Sequence, residues 1–221
     1  LIKGPESNPT LLRLTHDGIA DWNSNSASED VELVLGVDFG TSCIKIVIGD
    51  NAAKQRYLVE FNDSVDERFF LRSRIFECDG KFSLDNGRGS GSSEIRDIKL
   101  NLIRKNPKPN DQNFDHACGL LALAIRRARA WFFDKHLDNY RDARLIWSLN
   151  VGLPASSYED TDLTERIRKI SWAAANLAAD PAHREITRGN VENYRAQSHL
   201  VYGGAGPSGP HHVFHADLVN V

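Results

Sequence analysis

Methionine is absent from this 221-residue sequence, which opens at Leu1. A chain of this length ordinarily carries several, so the expectation is either a trimmed chain or one from which residues have dropped out. Cysteine is sparse: Cys43, Cys78 and Cys118 form no CxxC pair and are odd in number. That pattern excludes a disulfide framework and a zinc knuckle, and the three read as reduced thiols. No apolar run approaches the roughly 18 to 20 residues that span a bilayer, and the polar start has no signal-peptide core. The expected setting is therefore cytoplasmic, with no membrane as partner. Charge of one sign is also lacking, since 27 basic and 30 acidic residues leave a formal charge of -3. Neither nucleic acid nor an anionic membrane is expected on electrostatic grounds. There is no internal repeat and no P-loop.

What is present suffices for a core: 41% of residues are hydrophobic, enough for one large domain or two small ones. Residues 1–31 hold Pro5, Pro9 and an Asn/Ser run from Asn23 to Ser28, and read as a leader or flexible arm. Asp17, Asp21, Trp22 and the Glu29-Asp30 pair fall in it without an assigned role. From Glu32 the pattern changes. Leu33, Val34, Leu35 and Val37 form a continuous apolar run, as expected of a strand buried on both faces. Phe39 to Ser42 make a turn, and Cys43 to Gly49 alternate as a second strand. Strands are also expected at Tyr57–Phe61 and Phe69–Cys78, the latter followed by a turn at Asp79-Gly80 and a return through Phe82 to Leu84. Gly/Ser-rich and Pro-containing excursions are expected at 86–93 and 106–113.

Farther along, Leu120, Leu121, Ala124, Ile125, Ala128, Trp131 and Phe132 lie at helical spacing, which predicts a long amphipathic helix over 115–137. Arg126, Arg127 and Arg129 fall mainly off that stripe and read as a solvated face. Leu145–Val151 is the next strand. Asp162 with Glu165 three residues on predicts a capping box opening a helix that runs to about Ala179 and stops at Pro181. Ile186–Ala196 is ambiguous by pattern, Gly203–Pro210 reads as a loop and Val213–Val221 as a strand.

The chemistry concentrates in Leu35-Gly36-Val37-Asp38-Phe39-Gly40-Thr41-Ser42-Cys43-Ile44-Lys45. A tight turn of Gly40, Thr41 and Ser42 offers successive backbone N–H groups to phosphate oxygens. Asp38, at a strand end, supplies a carboxylate for Mg²⁺ through retained water. Lys45 can reach phosphate as a point charge.

This stretch resembles the first phosphate motif of the actin, sugar-kinase and heat-shock-chaperone ATPase superfamily, in which an apolar run is followed by Asp, any residue, Gly, Ser/Thr and a small residue. The downstream succession of helix, strand and helix is similar to that superfamily's first lobe. The chaperone branch, of the 70-kDa heat-shock type, is the most similar, through Phe70-Leu71-Arg72-Ser73-Arg74-Ile75 and Asn150-Val151-Gly152-Leu153-Pro154-Ala155. Two departures stand against that branch: Arg72 replaces its usual Pro, and two residues are inserted before Pro154. Arg96 to Arg104 resembles the segment whose lysine orders the attacking water, which puts Lys99 in that place; a solvated lysine on an amphipathic turn is the other reading of Lys99.

The resemblance implies an α/β, ribonuclease H-like first lobe over 32–221, with a mixed five-stranded sheet and crossover helices. It implies ATP and Mg²⁺ as cofactors, with Gly40, Thr41, Ser42 and Lys45 on phosphate, Asp38 on the metal, and Asp38 and Lys99 in hydrolysis that works as a conformational switch. A protein client or co-chaperone is the implied partner. The superfamily's second Asp-Gly-Gly motif and its Gly-rich adenosine motif do not occur in the sequence, so a fragment of a larger ATPase is expected. A small-molecule kinase on the same fold and a non-catalytic or filament-forming scaffold are the alternatives. Gly204–Gly209 matches GxGxxG only by letters, since Pro207 and Pro210 interrupt it and no helix follows. His211, His212 and His215 have no carboxylate or cysteine at ligand spacing, and read as a polar strand edge.

Overall fold

A computed structural model describes residues 9–19, 29–86, 91–103, 112–153, 160–202 and 216–220. The chain is mixed α/β. Strand β1 (Glu29–Phe39) turns back into β2 (Cys43–Asp50), and β3 (Gln55–Leu58) continues on the far side of β2. Strand β8 (Ala143–Leu153) runs parallel to β1 on its other edge, and β9 (Ala216–Asn220) lies parallel to β8. The order β3-β2-β1-β8-β9 is thus mixed, with only β2 reversed relative to its neighbours. These five strands form the expected mixed sheet.

The strand expected over Phe69–Cys78 is broken in two. Leu71–Arg72 (β4) pairs with β2, whereas Ile75–Cys78 (β5) leaves for a second, three-stranded sheet with β6 (Lys81–Ser83) and β7 (Ser93–Ile95). The break falls at Ser73, whose N–H donates to the Ser42 carbonyl (3.0 Å) instead of continuing a ladder.

A short helix, α1 (Ile98–Leu102), precedes the long α2 (Gln112–His136), which runs over the stretch its periodicity predicts. Helix α3 (Thr161–Ala179) ends at the expected residue but starts differently: its cap is Asp160, whose Oδ1 accepts from Leu163 N–H at 3.0 Å, and not Asp162. Glu165, which the capping box needed, is engaged by Lys169 one turn on (2.5 Å). The ambiguous stretch after Ile186 is helical, α4 (Arg188–Tyr202). Residues 154–159 and 203–215, which include Pro154, Gly204–Gly209 and the three histidines, lie outside the described residues. Among the described residues no helix is long and apolar enough to cross a membrane.

The core lies between one sheet face and the helices. Val31, Leu33, Leu35, Val37 and Phe39 of β1 and Ile44, Ile46 and Ile48 of β2 are all buried, and Trp147 of β8 stands edge-on to Phe132 and Phe133 of α2. The opposite face of β1 is more open. Glu32 and Asp38 are exposed there, and Val34 and Gly36 are half-buried, so the strand is single-faced, contrary to the expectation from its unbroken apolar run.

The arginines of α2 also differ from expectation: Arg129 is fully buried and Arg126 nearly so. Arg126 donates to the carbonyls of Ala178 (3.0 Å), Leu177 (2.8 Å), Arg184 (2.8 Å) and His183 (2.5 Å). The last carbonyls of a helix have no partner within it, and this guanidinium supplies the donors for α3. Burial pulls its pKa down to about 10, still charged at neutral pH. The guanidinium of Arg129 lies over the rings of Trp147 and Phe133.

The N-terminal segment packs on this layer. Leu12 N–H donates to Phe61 O, and Asp134 accepts from Thr15 N–H (2.8 Å) and His16 N–H (3.1 Å). Gly18, at φ 72, lies so close to α2 that a Cβ there would stand 2.0 Å from Arg126 O, which only glycine avoids.

Replacing Arg126 with Ala leaves four carbonyls short of donors and is expected to cost about 3 kcal/mol or more in urea unfolding. Arg141→Ala, which removes a mostly exposed pair with Asp138, is expected to leave the unfolding midpoint almost unchanged. Equal losses from the two would show that the Arg126 bonds do not hold α3 to α2.

Candidate functional site

The site is built on the register of the β1–β2 hairpin. Phe39 faces Ile44 and Asp38 faces Lys45, so the chain reverses through Gly40, Thr41, Ser42 and Cys43. Gly40 N–H donates to Cys43 O at 3.1 Å, and a Cβ at Gly40 would stand 2.4 Å from that oxygen. The tightness of the turn therefore requires glycine. Because its N–H closes the hairpin, Gly40 is committed to its own turn; Thr41 and Ser42 are exposed at the tip.

The parallel pairing of β1 with β8 sets Asp38 beside Gly152, so the turn projects from the carboxyl ends of the parallel strands. Asp38 and Lys45 are cross-strand neighbours on the outward face, with Nζ 3.6 Å from Oδ2, and both are about half exposed or more. Lys45 Nζ also lies 5.4 Å from the centre of the Phe70 ring. An exposed ion pair of this kind contributes little to stability, which leaves both charges free to exchange partners.

Lys99 is placed differently from a solvated lysine. Asp97 takes a left-handed conformation (φ 55) that starts α1, and the helix carries Lys99 into the interior, where it is 8% exposed. Its Nζ donates to the Phe39 carbonyl, the last of β1, and lies 5.8 Å from the Phe39 ring. Burial lowers the pKa of Lys99, and the nearby Asp38 carboxylate pulls it back up. The structure thus brings Asp38, Lys45, Lys99 and the turn Gly40–Ser42 together at one end of the sheet.

Sequence reading missed Ser73. Its Oγ donates to Gly40 O (2.7 Å) and its N–H to Ser42 O (3.0 Å), so one residue clasps both sides of the turn. It stands 33 positions from Gly40, and no local pattern marks it.

Among the described residues no group of three His, Cys, Asp or Glu side chains is placed to hold a metal ion. Asp38 alone gives one carboxylate. That donor set fits Mg²⁺, which keeps most of its water and is commonly held by one or two carboxylates plus phosphate oxygens. Compared with known proteins, the chain matches no family model, no curated protein and no solved structure.

The buried lysine makes a pH prediction. Its depressed pKa means that the unfolded chain binds the proton more tightly than the folded one, so stability rises with pH from the folded pKa up to the ordinary lysine value of 10.5. In a ¹³C titration of the lysine Cε signals, Lys99 is expected to lose its proton below the other lysines. Asp38→Asn, which removes the carboxylate that holds the proton on, is expected to lower it further. A Lys99 that titrates with the bulk, unmoved by Asp38→Asn, would contradict this placement.

Proposed function

We propose that this chain is the phosphate-binding lobe of an ATPase of the actin-like superfamily, ribonuclease H-like in fold and most similar to the 70-kDa heat-shock type, and that the hairpin Leu33–Ile48 receives Mg-ATP. The observation that carries the reading is the convergence of one carboxylate and two ammonium groups on the hairpin turn: Asp38, Lys45 and Lys99 around Thr41-Ser42. The strand order supports it. In open α/β sheets, ligands bind outside the carboxyl ends of the strands where the connections diverge. Strand β1 is such a place, its hairpin leaving to one side and its parallel partner lying on the other.

In this reading the backbone of Thr41 and Ser42 cradles phosphate oxygens, with Gly40 giving the turn its tightness. Asp38 would hold Mg²⁺ through water, which requires Lys45 to release the carboxylate and turn to phosphate. Mg²⁺ supplies charge neutralisation on the phosphate oxygens. Lys99, already desolvated beneath the turn, orders the attacking water or the γ-phosphate; its charge counts for more there than it would in bulk water. Slow hydrolysis then acts as a switch between conformations, and a protein client or co-chaperone is the proposed reader of that switch.

A second reading, a non-catalytic lobe used for protein contacts, has one observation in its favour. The outward sheet face that carries Asp38 also carries Val34, Val47, Leu58 and Ile146, the last two 41% and 38% exposed. Sedimentation with and without Mg-ATP separates the two: self-association indifferent to nucleotide favours the scaffold.

The sequence has no Gly-rich adenosine motif, so the phosphates carry the binding. ATP, GTP and tripolyphosphate are expected to bind with similar, weak affinity by calorimetry, each strengthened by Mg²⁺. Asp38→Asn is expected to abolish the Mg²⁺ effect and Lys45→Ala to weaken binding by about tenfold, as for a charge acting on the bound ligand. Binding that ignores Mg²⁺ in the unaltered protein, or an Asp38→Asn variant that keeps the full Mg²⁺ effect, would remove the phosphate assignment.

A further inference from the structure

Ser73 clasps the hairpin turn from a segment that carries an arginine on either side of it, and the two arginines are not equivalent. Arg74 donates to Glu94 at 2.8 Å and lies over the Phe76 ring, so it is committed to the second sheet. Arg72 belongs to the turn. It is the cross-strand partner of Cys43, one residue from Ser42. Leu71 beside it is buried, and the ring of Phe70, two residues before it, lies against Lys45 Nζ. Side chains alternate along an extended chain, so Arg72 emerges on the outward face with Lys45 and Asp38. The bonds from Ser73 to Gly40 O and Ser42 O hold its backbone there.

The guanidinium itself is held at one nitrogen. Nη2 donates to both carboxylate oxygens of Glu67 at 3.1 Å, and among the described residues Nε and Nη1 make no bond. The two side chains are 44% and 39% exposed. A pair this open to water adds little to stability and exchanges partners readily. Turned away from Glu67, Arg72 presents a two-nitrogen edge that matches two phosphate oxygens.

Charge decides which phosphate chain such an arginine favours. Asp38, Lys45 and Lys99 together leave the turn one net positive charge, and Arg72 released from Glu67 adds another. A magnesium nucleoside triphosphate carries about two net negative charges at neutral pH, and removal of the γ-phosphate leaves about one. We propose that Arg72 is a specificity-determining cation of this site, which leaves Glu67 for the terminal phosphate of a magnesium nucleoside triphosphate and so makes the turn prefer triphosphate to diphosphate. The inference rests on the Mg-ATP reading of the hairpin. Glu67 is then an internal competitor that the phosphate displaces.

Calorimetry with Mg-ATP and Mg-ADP, together with the Arg72 Nε–H signal in NMR spectra, tests it. In the unaltered protein Mg-ATP is expected to bind about tenfold more tightly than Mg-ADP and to move the Arg72 Nε–H signal, which Mg-ADP leaves nearly in place. Arg72→Gln is expected to bring the two affinities within about twofold of each other while keeping the Mg²⁺ effect that belongs to Asp38, and Arg72→Lys, which keeps the charge but loses the fork, to fall between. Glu67→Gln removes the competitor and is expected to tighten Mg-ATP by about threefold, whereas a merely structural ion pair would give unchanged or weaker binding. Equal affinities in the unaltered protein, an Arg72→Gln variant that keeps the triphosphate preference, or a Glu67→Gln variant no tighter than its parent would overturn the inference. With the Mg²⁺ effect and its dependence on Asp38 intact, those results leave the phosphate reading standing; nucleotide binding that ignores Mg²⁺ in the unaltered protein removes both.

Discussion

Strand β1 is the constraint on which the remaining structure depends, because its backbone is paired on both edges from Leu33 to Asp38. The antiparallel ladder to β2 runs from Leu33 to Phe39 and the parallel ladder to β8 from Glu29 to Asp38. A shift of one residue in either would turn Val31, Leu33, Leu35, Val37 and Phe39 out of the core together, since side chains alternate along a strand. The same register fixes the site. Asp38 must emerge on the outward face at the end of the strand, opposite Lys45. Phe39 must point inward, which leaves its carbonyl for Lys99.

The helical layer is fastened to that sheet by a different kind of bond. Apolar contacts set α2 against the strands and Ile167, Ile170, Ala174 and Leu177 of α3 into the same core, while the end of α3 and the loop after it are also held through the backbone by the guanidinium of Arg126. A second charged network ties α4 down. Arg188 forks onto Glu77 of β5 at 2.7 and 2.8 Å, and Arg195 reaches the buried Asp115 of α2 at 2.6 Å. Desolvation raises the pKa of Asp115, and the arginines partly offset that effect. Such pairs fix geometry more surely than they add stability, because desolvation consumes much of the Coulombic gain.

Elements whose signal is local were legible in the sequence: the hairpin from its two apolar runs around Gly40, α2 and the end of α3 from their 3.6-residue periodicity, and β8 from its apolar core. Features that depend on a distant partner were not. Nothing near Arg126 announces carbonyls 51 to 58 residues away, and an arginine off an apolar stripe is indistinguishable by pattern from a solvated one. Lys99 and Ser73 reach the turn from 60 and 33 residues off. The start of α3 was not legible for a local reason: Asp160 and Asp162 both suit a cap, and Glu165, whose spacing selects the second, is paired with Lys169. The single-faced burial of β1 depends on which side the helices take, which composition does not encode.

At the turn, the electrostatics are arranged in depth. Lys45 and Asp38 lie at the surface, where charges exchange partners readily, and Lys99 lies beneath, where its charge is desolvated and its position fixed by Phe39. The central claim is that a magnesium-bound triphosphate settles on this turn. The most direct measurement replaces Mg²⁺ with paramagnetic Mn²⁺ and follows the broadening of assigned backbone amides as Mn-ATP is added. The account predicts that Asp38, Gly40, Thr41 and Ser42 broaden first, and only when the triphosphate is present. Broadening centred on the carboxylates of Glu77 and Asp115, or the same broadening by Mn²⁺ without ATP, would contradict it.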